Sequence, residues 1–287
     1  MEKKRKSLYA AWKWLAAFCL AAGLVMGIRH YWIESYRIST EAMLEALYPG
    51  DYILVDKWQR RNDQVRNRVV LFTSPLLRDT ATGPLFISRC IGMPGDTIRV
   101  GPEGYTVNGR TVPRSPRALT AYFVALKAKE DFLRALHKLQ IPEREMKVEP
   151  FGLSLRLTSF EAYQIREELP EALRSQLIND PGENYTLIVP RKGWAHRLDA
   201  AALTACKEAI LRETGGKARF REGKLYLDGR ETSFFFFAQD YYWVLSDNTA
   251  EAVDSRHLGF IPADHLIGNA FFCWYSPDKG RIFKPVN

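Results

Sequence analysis

Apolar residues run almost unbroken from position 8 to 28, interrupted only by Lys13, and follow the basic cluster Lys3-Lys-Arg-Lys6. About twenty residues at roughly 1.5 Å of rise each match the roughly 30 Å hydrocarbon layer of a bilayer. The pattern therefore predicts a basic tail and transmembrane helix over residues 1–30. Lys13 sits near the basic end, where a long side chain reaches the interface. The positive cluster holds that end in the cytoplasm and places everything after residue 28 on the exported side. The rival reading is a cleaved targeting segment, since the uncharged core 14–28 is short. Against it, Gly27-Ile-Arg-His30 offers no small-x-small cleavage site, and Phe18 precedes Cys19 where a lipid-modified signal wants a small residue. A retained single-pass anchor is favoured.

Beyond the anchor the period changes from helical to β. Tyr52-Ile-Leu-Val55 is apolar without alternation, as a strand covered on both faces would be, and follows Pro49-Gly50, which suits a type II turn. Arg68-Val-Val-Leu-Phe72 and Leu85-Phe-Ile-Ser-Arg-Cys-Ile91 read as strands, and Thr97-Ile-Arg-Val100 alternates as a strand with one wet face. Asn108-Gly109 and Asp228-Gly229 mark two hairpins. Phe234-Phe-Phe-Phe237, Tyr241-Tyr-Trp-Val-Leu245 and residues 268–275 return to β at the end of the chain.

Between these β regions the pattern is mixed. Phe123, Leu126, Leu133 and Leu136 recur at helical spacing, residues 151–157 alternate, and Thr158-Ser-Phe-Glu161 is a capping box opening a second helix that Pro170 interrupts or ends. Asp199 caps a third helix carrying Leu203, Cys206 and Ile210, closed by Gly215-Gly216. The expected organisation is mainly β: a core over 31–113 and 181–287, with an α+β subdomain inserted at 114–180.

Composition narrows the function. With 46% hydrophobic and 26% charged residues, the composition is that of an ordinary globular protein and argues against wholesale disorder. Forty-one basic against 33 acidic residues give a net charge of +8, which fits nucleic acid or anionic lipid headgroups. No nucleic-acid-binding motif accompanies the charge, so the lipid bilayer is the expected partner and nucleic acid is not. Cysteines 19, 90, 206 and 273 form no Cys-x-x-Cys pair, so neither a metal site nor a cofactor is expected.

Four segments carry the chemistry. They are the stretch from Ile38 to Lys57 with its Gly50-Asp51, then Arg89-Cys-Ile-Gly-Met-Pro-Gly-Asp96, then Ser246-Asp-Asn-Thr249 with Asp254-Ser-Arg256, and finally Gly259-Phe-Ile-Pro262 with Leu266-Ile-Gly268. In that order they resemble the segments of bacterial signal peptidase I, the membrane-bound protease that removes signal peptides from exported proteins. The resemblance implies a coiled antiparallel β-sheet core behind an N-terminal anchor, in the bacterial cytoplasmic membrane. It also implies a Ser-Lys dyad, in which a desolvated lysine takes the proton of a nucleophilic serine.

Neither dyad member is present. Ala42 stands directly before Met43 at the nucleophile position, and Ser88 stands before Arg89 at the lysine position. A methyl group cannot attack, a hydroxyl is no base near neutral pH, and guanidinium does not deprotonate. By the resemblance Thr40 falls at the oxyanion-hole position. Asp247, Asn248, Asp254, Ser255 and Arg256 order the site, and Met43, Arg89 and Trp58 are candidates for a peptide groove or membrane face. His257 and His265 are possible bases for Ser88. The expectation is a catalytically silent relative that binds an exported or signal-peptide segment or a partner envelope protein. An active peptidase with relocated groups such as Thr40 or Ser88, and a structural envelope scaffold, are the alternatives.

Overall fold

The structure, a computed structural model, describes residues 12–23, 26–27, 32–44, 46–58, 65–76, 83–101, 104–112, 119–180, 185–248 and 252–286. The basic cluster at 3–6, parts of the apolar run and Thr249 lie outside the described residues. Residues 12–23 are helical, and Trp12, Trp14, Leu15, Phe18 and Leu20 on them are exposed. Among the described residues no helix is long and apolar enough to cross a membrane.

The core is an antiparallel sheet. Its order is β1 (Ile33–Arg37), β2 (Tyr52–Asp56), the strand Leu266–Tyr275, β3 (Val69–Thr73), β4 (Leu85–Gly92), the strand Tyr241–Leu245 and the short Ile261–Pro262, with Lys284–Pro285 pairing Leu266–Tyr275. Register shifts at Tyr52/Ile53, Leu54/Val55, Leu266/Gly268 and Trp243/Val244 bend and twist the strands. Such bulges curl a sheet, and here they make it a half-barrel. Gly268 permits the tightest of these approaches, because a Cβ there would lie 2.2 Å from the Asp56 carbonyl oxygen.

β3 is buried on both faces. Val69 and Leu71 join Met43, Leu47, Ile53, Val55 and Ile87 on one side, while Val70 and Phe72 join Cys90, Tyr242, Val244 and Ile261 on the other. β2 departs from its expected two-sided cover. Only Ile53 and Val55 are buried, and Tyr52, Leu54 and Asp56 are half-buried, because β2 lies near the edge of the sheet. A second sheet, formed by Thr97–Gly101, Gly104–Val107, Arg110–Thr111 and Tyr185–Ile188, shares a core with the helix Ala200–Glu213. Asp199 caps that helix through the Ala202 N–H at 2.8 Å. Both hairpin turns take the positive φ that Asn-Gly and Asp-Gly supply, at Asn108, Gly109, Asp228 and Gly229.

Residues 119–180 hold a four-stranded sheet in the order Leu177–Asp180, Thr120–Ala125, Gly152–Leu157, Lys147–Glu149, covered on one face by the helices Lys129–Leu139 and Ser159–Glu168 with a core of their own. Thr158 and Glu161 form the reciprocal capping box, with bonds of 3.2 and 2.8 Å. The first helix starts later than its periodicity predicts. Phe123 sits on a strand and Leu126 in a 3-10 turn, because Thr120–Ala125 alternates in burial and pairs on both sides. The i, i+3 spacing of those residues is coincidental.

Candidate functional site

The segment carrying Ala42 is a loop pinched shut at its base. Ile38 N–H donates to the Asp51 carbonyl and Gly50 N–H to the Ile38 carbonyl, both at 2.8 Å. Asp51 is wholly buried and closes the Pro49-Gly50 turn by accepting the Tyr48 N–H at 2.9 Å. Arg281 arrives from the end of the chain, donating to Asp51 Oδ2 at 2.7 Å and to the Ala46 carbonyl at 2.9 Å, with its guanidinium 4.2 Å from the Tyr48 ring centroid. Burial alone would raise the Asp51 carboxyl, but the Arg281 guanidinium and the Tyr48 N–H outweigh it and hold the group below its ordinary range. Arg281 was not among the expected site residues, and no local pattern marks it.

Ala42 lies half-buried on the wall of a groove of about 540 Å³, lined also by Ile38, Thr40, Leu85, Ile87 and Val253. The groove is mostly apolar, and Arg37 is the cation among its lining residues. β4 explains the open side. Along β4, Tyr241–Leu245 pairs with Arg89, Cys90 and Gly92, so among the described residues Leu85 to Ser88 are paired on one side, by β3.

Ser88 is wholly buried and its hydroxyl is committed. It donates to the Ile87 carbonyl at 2.8 Å and shares a 2.8 Å hydrogen bond with Ser246 Oγ. A hydroxyl has one proton, so Ser246 is the donor of the second bond. Ser246 is buried as well, and its N–H donates to Asp254 Oδ2 at 2.9 Å. Asp254, wholly buried, binds Arg256 through two side-chain bonds of 2.9 Å. Ser255 Oγ accepts the Val244 N–H at 2.9 Å. Asn248 links this cluster to the loop: its N–H donates to the Ala42 carbonyl at 3.0 Å and its Nδ2 to the Glu41 carbonyl at 3.2 Å. Three consecutive residues, 246 to 248, therefore touch Ser88 at one end and Ala42 at the other.

Two expected groove or membrane-face residues are elsewhere. Met43 is fully buried in the core with Leu47 and Val55, since its side chain points away from the groove that Ala42 lines. Arg89 is 3% exposed and forms a two-pronged ion pair with Asp247 at 2.9 and 2.6 Å, donating also to the Asn67 carbonyl at 3.0 Å. Trp58 is exposed, but is not among the groove-lining residues. Thr40 is exposed and lines the groove beside Ala42.

Neither histidine reaches Ser88. His265 is buried with Nδ1 at 3.0 Å from Thr73 Oγ1, and burial followed by the nearby Arg212 lowers its pKa. His257 stands 3.9 Å from Asp254. Burial pushes the Cys90 thiol up to about 12, which leaves no thiolate beside the site. Among the described residues no cluster of His, Cys, Asp and Glu could hold a metal ion.

The family model described as "Signal peptidase, peptidase S26" matches residues 11–149 and 204–275. Signal peptidase I of Aquifex aeolicus is 26% identical over 259 residues, 88% of this chain and 79% of that protein. Signal peptidase I of Buchnera aphidicola subsp. Baizongia pistaciae is 21% identical over 271 residues, 88% of this chain and 72% of that protein. A probable signal peptidase I-2 of Synechocystis is 33% identical over 89 residues, covering 30% of this chain and 41% of its own.

Proposed function

Because the chain belongs to the signal peptidase family, peptidase S26, and carries a methyl group and a hydroxyl pair where that chemistry needs a nucleophile and a base, we propose that it binds an extended exported segment beside Ala42 without cleaving it. The observation that carries this reading is the closed pair Ser88–Ser246, both buried and bonded at 2.8 Å. A group that must take a proton from a substrate-facing nucleophile cannot be a hydroxyl spent on the Ile87 carbonyl.

The groove supports the binding half of the proposal. The one-sided stretch Leu85 to Ile87 lines the groove as an edge for an added strand, and Ile38, Ile87 and Val253 offer apolar contacts for alternate side chains. Strand addition needs no catalytic residue. In this reading the apolar run of residues 8–28 anchors the chain in the bacterial cytoplasmic membrane, N-terminus in the cytoplasm, with the β domain on the exported side. Thr40 or Ser88 as a relocated nucleophile is disfavoured, since Ser88 is enclosed and Arg37, the cation lining the groove, is no base.

The test uses the full chain in detergent micelles with a fluorescent signal-peptide segment. Saturable binding is expected, weakened by Val253→Arg at a position 43% exposed, with no cleaved product over hours. Cleavage that disappears with Thr40→Ala or Ser88→Ala would replace silence with a relocated site. Absence of binding would remove the groove reading and leave a scaffold.

A further inference from the structure

The sheet of residues 119–180 ends in an edge that no strand among the described residues covers. Lys147–Glu149 is the outermost strand, paired on one side by Gly152–Leu157, and all three of its residues are exposed, Val148 by 79%. Glu149 lies opposite Gly152 across the turn Pro150-Phe151, so these two exchange the hydrogen bonds that close the hairpin. Bonded and non-bonded pairs alternate along an antiparallel ladder. Val148, opposite Leu153, therefore points its N–H and C=O outward. Both ends keep the edge short. Pro150 has no N–H to offer, and Glu145, at φ 48°, turns the chain.

The charges on this edge complement themselves. Lys147 and Glu149 sit opposite Ser154 and Gly152, and Glu149 Oε1 accepts the Ser154 hydroxyl at 3.1 Å. Glu149 also lines a pocket of about 350 Å³ with Phe123, Phe151 and Ser154. Neighbouring charges meet partners inside the subdomain. Arg144 pairs with Glu161 at 2.8 Å and Arg156 with Glu145 at 3.5 Å, and Glu143 lies 3.8 Å from His137. Residues 141–156 hold three acidic and three basic side chains. Such a balance favours neither an anionic nor a cationic surface, and it does not repel a second copy of itself.

We propose that this edge pairs with the same edge of a second copy about a two-fold axis at Val148. Such an axis makes the new ladder antiparallel and the contact isologous. Residues that exchange hydrogen bonds must both point outward, so Val148 can meet residue 146, 148 or 150 of the other copy. Opposite Met146 it would set Lys147 against Lys147, and opposite Pro150 it would set Glu149 against Glu149. Opposite Val148 it sets Lys147 against Glu149 twice. Like charges directly opposite destabilise a ladder and unlike charges stabilise it, so the third register is selected. In that register Lys147 of the second copy reaches the rim of the pocket that Glu149 and the two rings line. The two four-stranded sheets then run on as one. A contact of three residues a side belongs with small, transient interfaces. The edge shares no residue with the groove, so failure of self-pairing leaves the binding reading untouched.

The test uses the full-length chain in detergent micelles, at fewer than one chain per micelle, with Cys19→Ala to remove the exposed thiol and leave three buried ones. Val148→Cys places two thiols across the axis, where bonded partners have Cα atoms about 5.5 Å apart, within reach of a disulfide. Mild oxidation should give a crosslinked dimer. Ile178→Cys, 50% exposed on the strand at the opposite edge of the sheet, should give little. Adding Lys147→Glu or Glu149→Lys to Val148→Cys should each slow crosslinking roughly tenfold, because both pairs across the axis become repulsive. An equal mixture of these two variants should recover the rate, since each meets the opposite charge on the other, and both changes in one chain should recover it as well. Equal crosslinking at positions 148 and 178 overturns the proposal, as does a rate that neither charge reversal lowers. Variants that match the parent in circular dichroism yet do not recover in the mixture overturn it too.

Discussion

Restoring both dyad positions by Ala42→Ser and Ser88→Lys places an amine where Ser88 is wholly enclosed and Ser246 Oγ lies 2.8 Å away. A lysine is longer than serine by three carbons, so it must either displace the Ser246 side chain or leave its rotamer. Overpacking of that kind costs about 1–3 kcal/mol. The triple variant with Ser246→Gly removes the obstructing hydroxymethyl group, at a backbone-entropy cost of about 0.5–1 kcal/mol. The net expectation is a triple variant about 1–2 kcal/mol more stable than the double, with preprotein cleavage at least tenfold faster. The enclosure that makes the double variant strained is also what drives an amine toward its neutral form, so cleavage should rise with pH as the lysine deprotonates. Urea denaturation gives the stability difference, and gel-resolved cleavage of a preprotein in micelles gives the rate. Equal stability and equal cleavage in the double and triple variants would refute the obstruction. A folded triple variant without activity would show that the loop no longer presents position 42 to the groove.

Other parts of the site give independent tests. Arg89→Met leaves Asp247 buried without its cation and should cost about 3–5 kcal/mol, while Arg89→Met with Asp247→Leu should cost much less; equal losses in a denaturant titration would contradict the pairing argument. Asn248→Ala removes the Nδ2 bond to the Glu41 carbonyl and should cost about 1 kcal/mol while weakening groove binding several-fold, as read by fluorescence anisotropy. Asp51 is held below its ordinary range, so its contribution is complete above the ordinary carboxylate pKa and is lost as pH falls through the depressed value. The acid-side fall in urea midpoint should therefore flatten in Arg281→Met, and an unchanged slope would exclude Arg281 as the cause. Thr158→Ala should destabilise the 119–180 region by about 1 kcal/mol through loss of its capping bond, measurable by hydrogen exchange in the helix Ser159–Glu168.

Features set by rules spanning a few residues could be read directly from the sequence. The hairpins at Asn108-Gly109 and Asp228-Gly229 follow from backbone preferences, as does the capping box at Thr158. At Phe123 a helical period and a strand period coincide over a short window, and only the flanking strands decide between them. Ala42 and Ser88 are single letters in segments that carry the resemblance, so the departure from a Ser-Lys dyad can be read from the sequence as well. What packs around the site cannot. Ser246 meets Ser88 across 158 residues and Arg281 meets Asp51 across 230, and no local rule links such positions. Met43 and Arg89, candidates for a peptide groove or membrane face, are both buried: Met43 packs with Leu47 and Val55, and Arg89 is held by Asp247, a partner 158 residues away.

The same physics explains how the frame around Ala42 and Ser88 stands whatever chemistry those two positions carry. Arg89–Asp247 and Asp254–Arg256 each include a wholly or nearly buried charge, so losing one partner leaves the other stranded at a cost comparable to much of a domain's net stability. These pairs are held in place by folding, whatever the site does. A buried amine is the opposite case, since its depressed pKa means the fold works against its charge. Exchanging it for a hydroxyl that finds two partners, the Ile87 carbonyl and Ser246 Oγ, removes that strain and leaves no polar atom unsatisfied there. Nor does Ala42 disturb the loop, because its carbonyl rather than its side chain receives Asn248. An alanine at 42 and a serine at 88 are thus neutral or favourable for stability, whereas loss of the charges around them is severe, and that asymmetry is what the proposed binding without cleavage would rest on.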